Sequence, residues 1–454
     1  MFVKQSIDKL LGTAELPAEA QSIFRTFLIV RFIISLTFGL ASTFFILYTI
    51  DAIGFAAAAV ATSFMLLIRL LFDYPCGSLG DWIGQRWVLT LAYLSFGVAI
   101  FLTVTADTIP EFMLVALFNG FGGAQSSGAI ETWIDNNYKK GAGADVDPDR
   151  KIYGFGMQRV NSLNMLANGT SFLTGGTLAT VVSRPFVFQL QSVLVGLLII
   201  CVLILVKDLP EESSEESSEA EKTLTYFTYL KGGIAFLFSS KTAFFFLMGS
   251  AIYSVHVMVW ARLILFPLYF GYTGNDAGAS LLRTLIYFFG IFIGFYITAK
   301  LSTRFSERKL PLFMYGHTIA FFSIWLLVLH IVPGNNEFNI IGFVLTIVIM
   351  NTMIGINFDL GNILRQRVTL DLIPSEYRNS VYSLIPSLIS IVGIPLLPIA
   401  GRLVEDNGLS AGILMIAMIA FAGTSLIVLA LRFQQPAPQS VSLDVEIEEN
   451  PVTG

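Results

Sequence analysis

A chain of 454 residues that is 55% hydrophobic and only 13% charged lacks the polar surface of a soluble globular protein, which carries about 25% charged residues. The formal net charge of −5 is concentrated outside the apolar stretches, in 211–221 and 444–449, and nothing suggests nucleic-acid binding. Two cysteines, Cys76 and Cys201, are too few for a disulfide framework or a zinc site.

In chain order, residues 1–23 lack the basic start, apolar core and cleavage site of a signal peptide. They are expected to be a cytoplasmic N-terminal segment. A membrane-crossing helix needs roughly 20 mostly apolar residues. Twelve such runs follow, near 24–50, 52–74, 87–107, 110–134, 153–181, 185–207, 243–270, 276–299, 310–332, 339–363, 379–401 and 410–432. Backbone groups in lipid must be satisfied within the segment, so the runs are read as helices. The longest interruption, 208–242, begins acidic and serine-rich and ends as TLTYFTYLKGGIAFLF, which suits a linker followed by an interfacial helix. It divides the chain into six runs (24–207) and six runs (243–432), ahead of an acidic, disordered cytoplasmic tail at 433–454. The expected fold is an all-α membrane protein of twelve transmembrane helices in two six-helix halves.

Basic residues orient the chain. With the N-terminus in the cytoplasm, Arg86, Lys139, Lys140, Arg150, Lys151, Lys207, Lys300, Arg308, Arg365 and Arg378 all fall inside, and only Arg184 and Arg402 fall outside. Positive residues favour the cytoplasmic side. The expectation is a multi-pass protein of the cell membrane with both termini cytoplasmic.

Between the second and third runs lies GSLGDWIGQR, residues 77–86. Its glycines allow a sharp turn and close helix approach. Asp73-Tyr-Pro-Cys-Gly-Ser-Leu-Gly-Asp-Trp-Ile-Gly-Gln-Arg86 resembles the helix 2–3 signature of the major facilitator superfamily, Gly-x-Leu-x-Asp-x-x-Gly-Arg-Lys/Arg. Gly77, Leu79, Asp81, Gly84 and Arg86 match, and Gln85 replaces the first basic residue. The second copy, Lys300 to Arg308, is degenerate and lacks the aspartate. Gly120 to Asp135 resembles a variant of some prokaryotic members ending Gly-Ala-x-Glu-x-Trp-x-x-Asp, and Ile373-Pro-Ser-Glu-Tyr-Arg378 also resembles the family. The resemblance implies a secondary transporter working by alternating access, with a cavity lined by helices 1, 4, 7 and 10. It implies that Gly77, Asp81, Gly84 and Arg86 form a conformational latch. Many drug/proton antiporters of the family carry an arginine where this chain has Ala116, so that coupling arrangement is not expected here.

Ionisable groups in membrane helices are functional candidates by default. Glu131 and Asp135, with Arg159 on the next helix, suit a second cytoplasmic latch cluster or a structural ion pair. Asn161, Asn164, Asn168 and Ser171 share a helical face that must avoid lipid, by meeting a ligand or by hydrogen-bonding between helices. Tyr253, His256 and Trp260 share a face of the seventh run, with Arg262 nearby. His256 is read either as a titrating group in the site or as a satisfied core histidine. Arg31, Arg283 and Asp359 are further candidates. The expected substrate site joins Gln125, Ser126, Asn164, Asn168, Tyr253, His256 and Trp260 at the midplane.

No Walker loop or His-Glu-x-x-His pattern occurs, so no enzyme, metal or cofactor is expected. The expected partners are a small-molecule substrate, membrane lipid and a proton or sodium ion as the candidate coupling ion, with the chain working as a monomer. The competing reading is a transporter-like receptor, sensor or assembly partner without net flux.

Overall fold

The computed structural model describes residues 2–143, 146–148, 150–207, 231, 234–292, 297–331, 339–373 and 378–433, with side chains described except at 2–3, 74–82, 291–292, 299, 331, 352 and 378–383. Most of the interfacial segment expected within 208–242, nearly all of the tail, the stretch 374–377, and the side chains of Gly77 and Asp81 lie outside the described residues.

The described chain is helical. A short helix α1 (Phe2–Leu11) precedes α2 (Ala18–Ser42) and α3 (Phe45–Ile53), which together form one bent span. Next come α4 (Phe55–Ile83), α5 (Gln85–Thr105), α6 (Ile109–Ser126), α7 (Ala129–Ala142), α8 (Lys151–Val181) and α9 (Arg184–Leu205). After the interruption follow α10 (Lys241–Val259), a π-helical turn (Trp260–Ile264) and α11 (Leu265–Thr273). Then come α12 (Asp276–Phe292), α13 (Ala299–Ser302) and α14 (Leu310–Ile331). The chain ends in α15 (Ile340–Ile349), a second π turn (Met350–Gly355), α16 (Ile356–Leu372), α17 (Arg378–Asn407) and α18 (Leu409–Phe433). Nine helices or helix runs among the described residues are long and apolar enough to cross a bilayer. The long helices α6, α8 and α12 pack among them, α6 against α4 and α5, α8 against α2 and α12.

Local chemistry sets the breaks. Gly84, at φ 87°, turns the chain from α4 into α5, a conformation that suits a residue without Cβ. The run expected as one helix over 110–134 is instead two, because Ser127 is extended and Gly128 has φ 73°. Thr108 opens α6 with a capping box: its amide, its hydroxyl and the Asp107 amide all donate to Glu111 Oε2, at 2.9, 2.8 and 2.9 Å. Ser183 and Ser240 cap α9 and α10 by accepting from the amides of Phe186 and Ala243.

Without a hydrophobic drive between helices in lipid, close approach through small residues does the packing. A Cβ on Gly175 of α8 would lie 1.9 Å from the Leu40 carbonyl of α2. The start of α2 and the end of α18 lie at one end of the bundle, the terminal face. The opposite face carries the α3–α4, α5–α6, α8–α9, α11–α12 and α17–α18 junctions.

Candidate functional site

A cavity of about 290 Å³ lies between the two halves of the chain. Most of its wall comes from the first half: α2 to α6 and α9. The second half adds Ala261 and Arg262 of the π turn, Leu265 and Phe266 of α11, and Arg283 of α12. Phenylalanines 38, 45, 96, 112, 188 and 266 make it largely aromatic. Its polar lining includes Ser42, Thr49, Thr62, Asn119 and Gln191. Gln191 is buried and donates to the Thr37 carbonyl at 3.1 Å, so its orientation is set. Arg283 donates to the Ser42 carbonyl at 3.0 Å and lies over the Phe172 ring, 4.1 Å from its centroid.

On the opposite-face side of this cavity the halves are joined. Arg184, at the start of α9, grips Asp276, at the start of α12, with a two-pronged contact: Nε to Oδ2 at 2.8 Å and Nη2 to Oδ1 at 3.0 Å. The same guanidinium reaches Asp51 at the end of α3 at 2.5 Å. Around it, the Ala277 amide donates to Thr180 Oγ1 at 2.9 Å, and the Ser280 hydroxyl donates to Thr43 Oγ1 at 3.3 Å. Ser63 of α4 donates to the Ile394 carbonyl of α17 at 2.6 Å. Gly176 of α8 meets α12 so closely that a Cβ there would lie 2.0 Å from Ser280 Oγ and 2.6 Å from the Asp276 carbonyl. These contacts close the opposite face.

At the terminal face these ion pairs among the described residues each lie within one half. Arg31 pairs with Glu131 at 3.2 Å, Asp135 with Lys139 at 2.8 Å and with Arg150 at 2.7 Å, and Arg367 with Glu307 at 3.7 Å. Burial raises Asp135, but Lys139 and Arg150 outweigh it and hold the carboxyl below its ordinary range. Asp147 behaves likewise: burial raises it, while the Tyr153 amide, the Tyr138 hydroxyl and the Ile152 amide prevail and lower it. Those three donors sit 2.9, 2.8 and 3.2 Å from its oxygens.

The expected second latch cluster is therefore divided. Glu131 is held by Arg31, whereas Arg159 is exposed and lies over Phe155, 5.0 Å from the ring centroid. The expected partnership of Arg159 with Glu131 and Asp135 is not formed in this conformation. Arg86 is half-buried over Trp87, and its Nε has no hydrogen-bond partner among the described residues.

The expected substrate residues do not converge either. Tyr253, His256 and Trp260 do share a face, but that face packs on α14. The Tyr253 hydroxyl contacts His317 Nδ1, His256 contacts the Tyr253 carbonyl, and His256 and Trp260 meet the Phe321 ring edge-on. The cavity side of the same helix is Ala261, Arg262, Leu265 and Phe266. Gln125 and Asn164 are buried outside the cavity wall; Gln125 Oε1 and both amide atoms of Asn164 have no partner among the described residues. Ser126 donates to the Gly123 carbonyl at 3.3 Å, and Asn168 is not among the cavity-lining residues. Sequence reasoning missed the Asp51–Arg184–Asp276 cluster. Its signal was present: Arg184 is one of two basic residues on the basic-poor face, and each acid begins or ends an apolar run.

Comparison with known proteins completes the description. The model of the Major Facilitator Superfamily matches residues 27–394. No curated protein matches the sequence significantly. Among solved structures, the nucleoside transporter NupG superposes with a TM-score of 0.69 at 14% identity, covering 90% of this chain and 98% of its own. A POT family transporter in complex with a thioalcohol-conjugated peptide gives 0.66 at 13% identity, covering 90% and 96%. A D-xylose–proton symporter gives 0.64 at 11% identity, covering 90% and 98%.

Proposed function

The chain belongs to the major facilitator superfamily, and on that premise we propose which surfaces of this secondary active transporter bind and gate its substrate. It is a transporter of a small molecule and not an enzyme. The substrate occupies the 290 Å³ cavity between the halves. The terminal face is cytoplasmic, as the positive-inside rule requires of the face bearing nearly all the lysine and arginine. The opposite face is then the outer one, and the Arg184–Asp276–Asp51 cluster is its gate. The described conformation is closed outside; opening requires α8 and α9 to part from α12. A single chain embedded in lipid suffices, with its two six-run halves, 24–207 and 243–432, rocking about the cavity, and Gly77, Asp81, Gly84 and Arg86 remain the candidates for closing the inner side.

The observation that carries this reading is the coincidence of an inter-half cavity with ion pairing between the halves, among the described residues, on its opposite-face side. The test uses proteoliposomes loaded with a mixed pool of metabolites and amphiphiles, read by mass spectrometry for compounds that cross. Asn119 lines the cavity, and Asn119→Trp fills it. Flux in the wild type that disappears in Asn119→Trp supports the reading. Undiminished flux in that variant would place the site elsewhere, and saturable binding without flux in the wild type would favour a sensor.

A further inference from the structure

We infer that the substrate is a small amphiphilic organic anion, bound through the guanidinium of Arg262; this rests on the cavity being the substrate site. Among the described residues two charged side chains line the cavity, Arg262 and Arg283, and no aspartate or glutamate does. Arg283 has only neutral partners, the Ser42 carbonyl and the Phe172 ring. Arg262 makes no hydrogen bond or ion pair among the described residues. Arg69 lies close enough to repel it. Asp51 and Asp276 are engaged by Arg184, and Glu131 by Arg31.

A guanidinium keeps its proton under all physiological conditions. It therefore cannot escape desolvation by neutralising, and an uncompensated charge in a low-dielectric site is strongly unfavourable. A cavity with two such groups and no acid attracts a counter-ion. Arg262 also stands on a π-helical turn, Trp260–Ile264, a distortion that recurs at functional sites. The planar fork of arginine matches the two oxygens of a carboxylate, phosphate or sulfonate. The rest of the wall is aromatic and aliphatic, which demands an apolar body on the same molecule. Cations are disfavoured by the same charges.

The experiment measures thermal stabilisation of the full chain in nanodiscs by phenylacetate, phenyl phosphate and benzenesulfonate. Phenylacetamide, benzyl alcohol and phenethylamine serve as uncharged and cationic counterparts. At least one anion should stabilise the wild type, and none of the counterparts should match it. Arg262→Gln should weaken that binding about tenfold to a hundredfold, as loss of a charge-assisted contact predicts. Arg262→Lys, which keeps the charge, should retain part of it and guards against a misfolded Gln variant. Stabilisation by the amide or amine instead, by no anion at all, or by an anion equally in Arg262→Gln, overturns the assignment. Asn119→Trp separates the two levels. Binding of a neutral probe that is lost in Asn119→Trp but indifferent to Arg262 leaves the cavity standing and removes the anion. Anion binding that survives Asn119→Trp removes the cavity and this assignment with it.

Discussion

Replacing Asp276 by Asn removes one anionic partner of Arg184 from the proposed outer gate. In the closed state the Asp276 side chain is 8% exposed and Arg184 16%, and the two share a forked contact at 2.8 and 3.0 Å. A charged hydrogen bond contributes roughly 1.5–3 kcal/mol. Asn keeps one acceptor, so the loss belongs near the lower end. Because this contact joins the two halves, its loss falls on the closed state and not on either half alone. Each 1.4 kcal/mol is about tenfold in an equilibrium, so Asp276→Asn should raise the outward-open fraction about tenfold. Asp51 touches the same guanidinium at 2.5 Å but is 63% exposed. An exposed ion pair is worth about 0.2–1 kcal/mol, so Asp51→Asn should shift the same ratio by no more than about fivefold. The readout is the rate at which a membrane-impermeant thiol reagent, added from the outer side, modifies Ser42→Cys in a background lacking Cys76 and Cys201. Ser42 lines the cavity and is exposed to it. Equal labelling rates in wild type and Asp276→Asn, or a larger effect from Asp51→Asn, would show that the cluster does not gate the cavity.

Gly176→Val should have the same sense by a different cause, because its side chain must displace Ser280 and the Asp276 carbonyl; overpacking of this kind costs about 1–3 kcal/mol, and the same thiol assay should show faster outer labelling. The Arg31–Glu131 pair is 31% and 46% exposed, so Glu131→Gln should lower stability by no more than about 1 kcal/mol, and exchanging Glu131 with Arg159 should rescue nothing in melting temperature. Asp147 is held below its ordinary range by the backbone amides and the Tyr138 hydroxyl that donate to it, so its folded value lies under the unfolded one. Its stabilisation is then present above about pH 3.9 and lost as the pH falls through the folded value. The melting-temperature gap between wild type and Asp147→Asn should accordingly be full at pH 7 and close below pH 4; a gap that persists at lower pH would contradict the assignment.

Class is legible in composition and in the run lengths, because a bilayer imposes one length and one polarity on every crossing segment. The turn at Gly84 and the superfamily signature were legible for a related reason: they depend on neighbours in sequence. Contacts between distant helices were not. The spacing of Tyr253, His256 and Trp260 correctly identified one face of a helix, but periodicity does not say what that face meets. Arg262, six residues on from His256 and two on from Trp260, comes round to another side of the run and lines the cavity, while His256 faces α14. Glu131 was matched with Arg159 on the next helix along the chain, yet the bundle sets it beside Arg31 on the first. The gate unites residues 51, 184 and 276, each unremarkable alone at the end of an apolar run. A charge acquires its role from the partner that packing delivers, and in a bundle of long helices that partner is set by which helices cross, not by the distance along the chain.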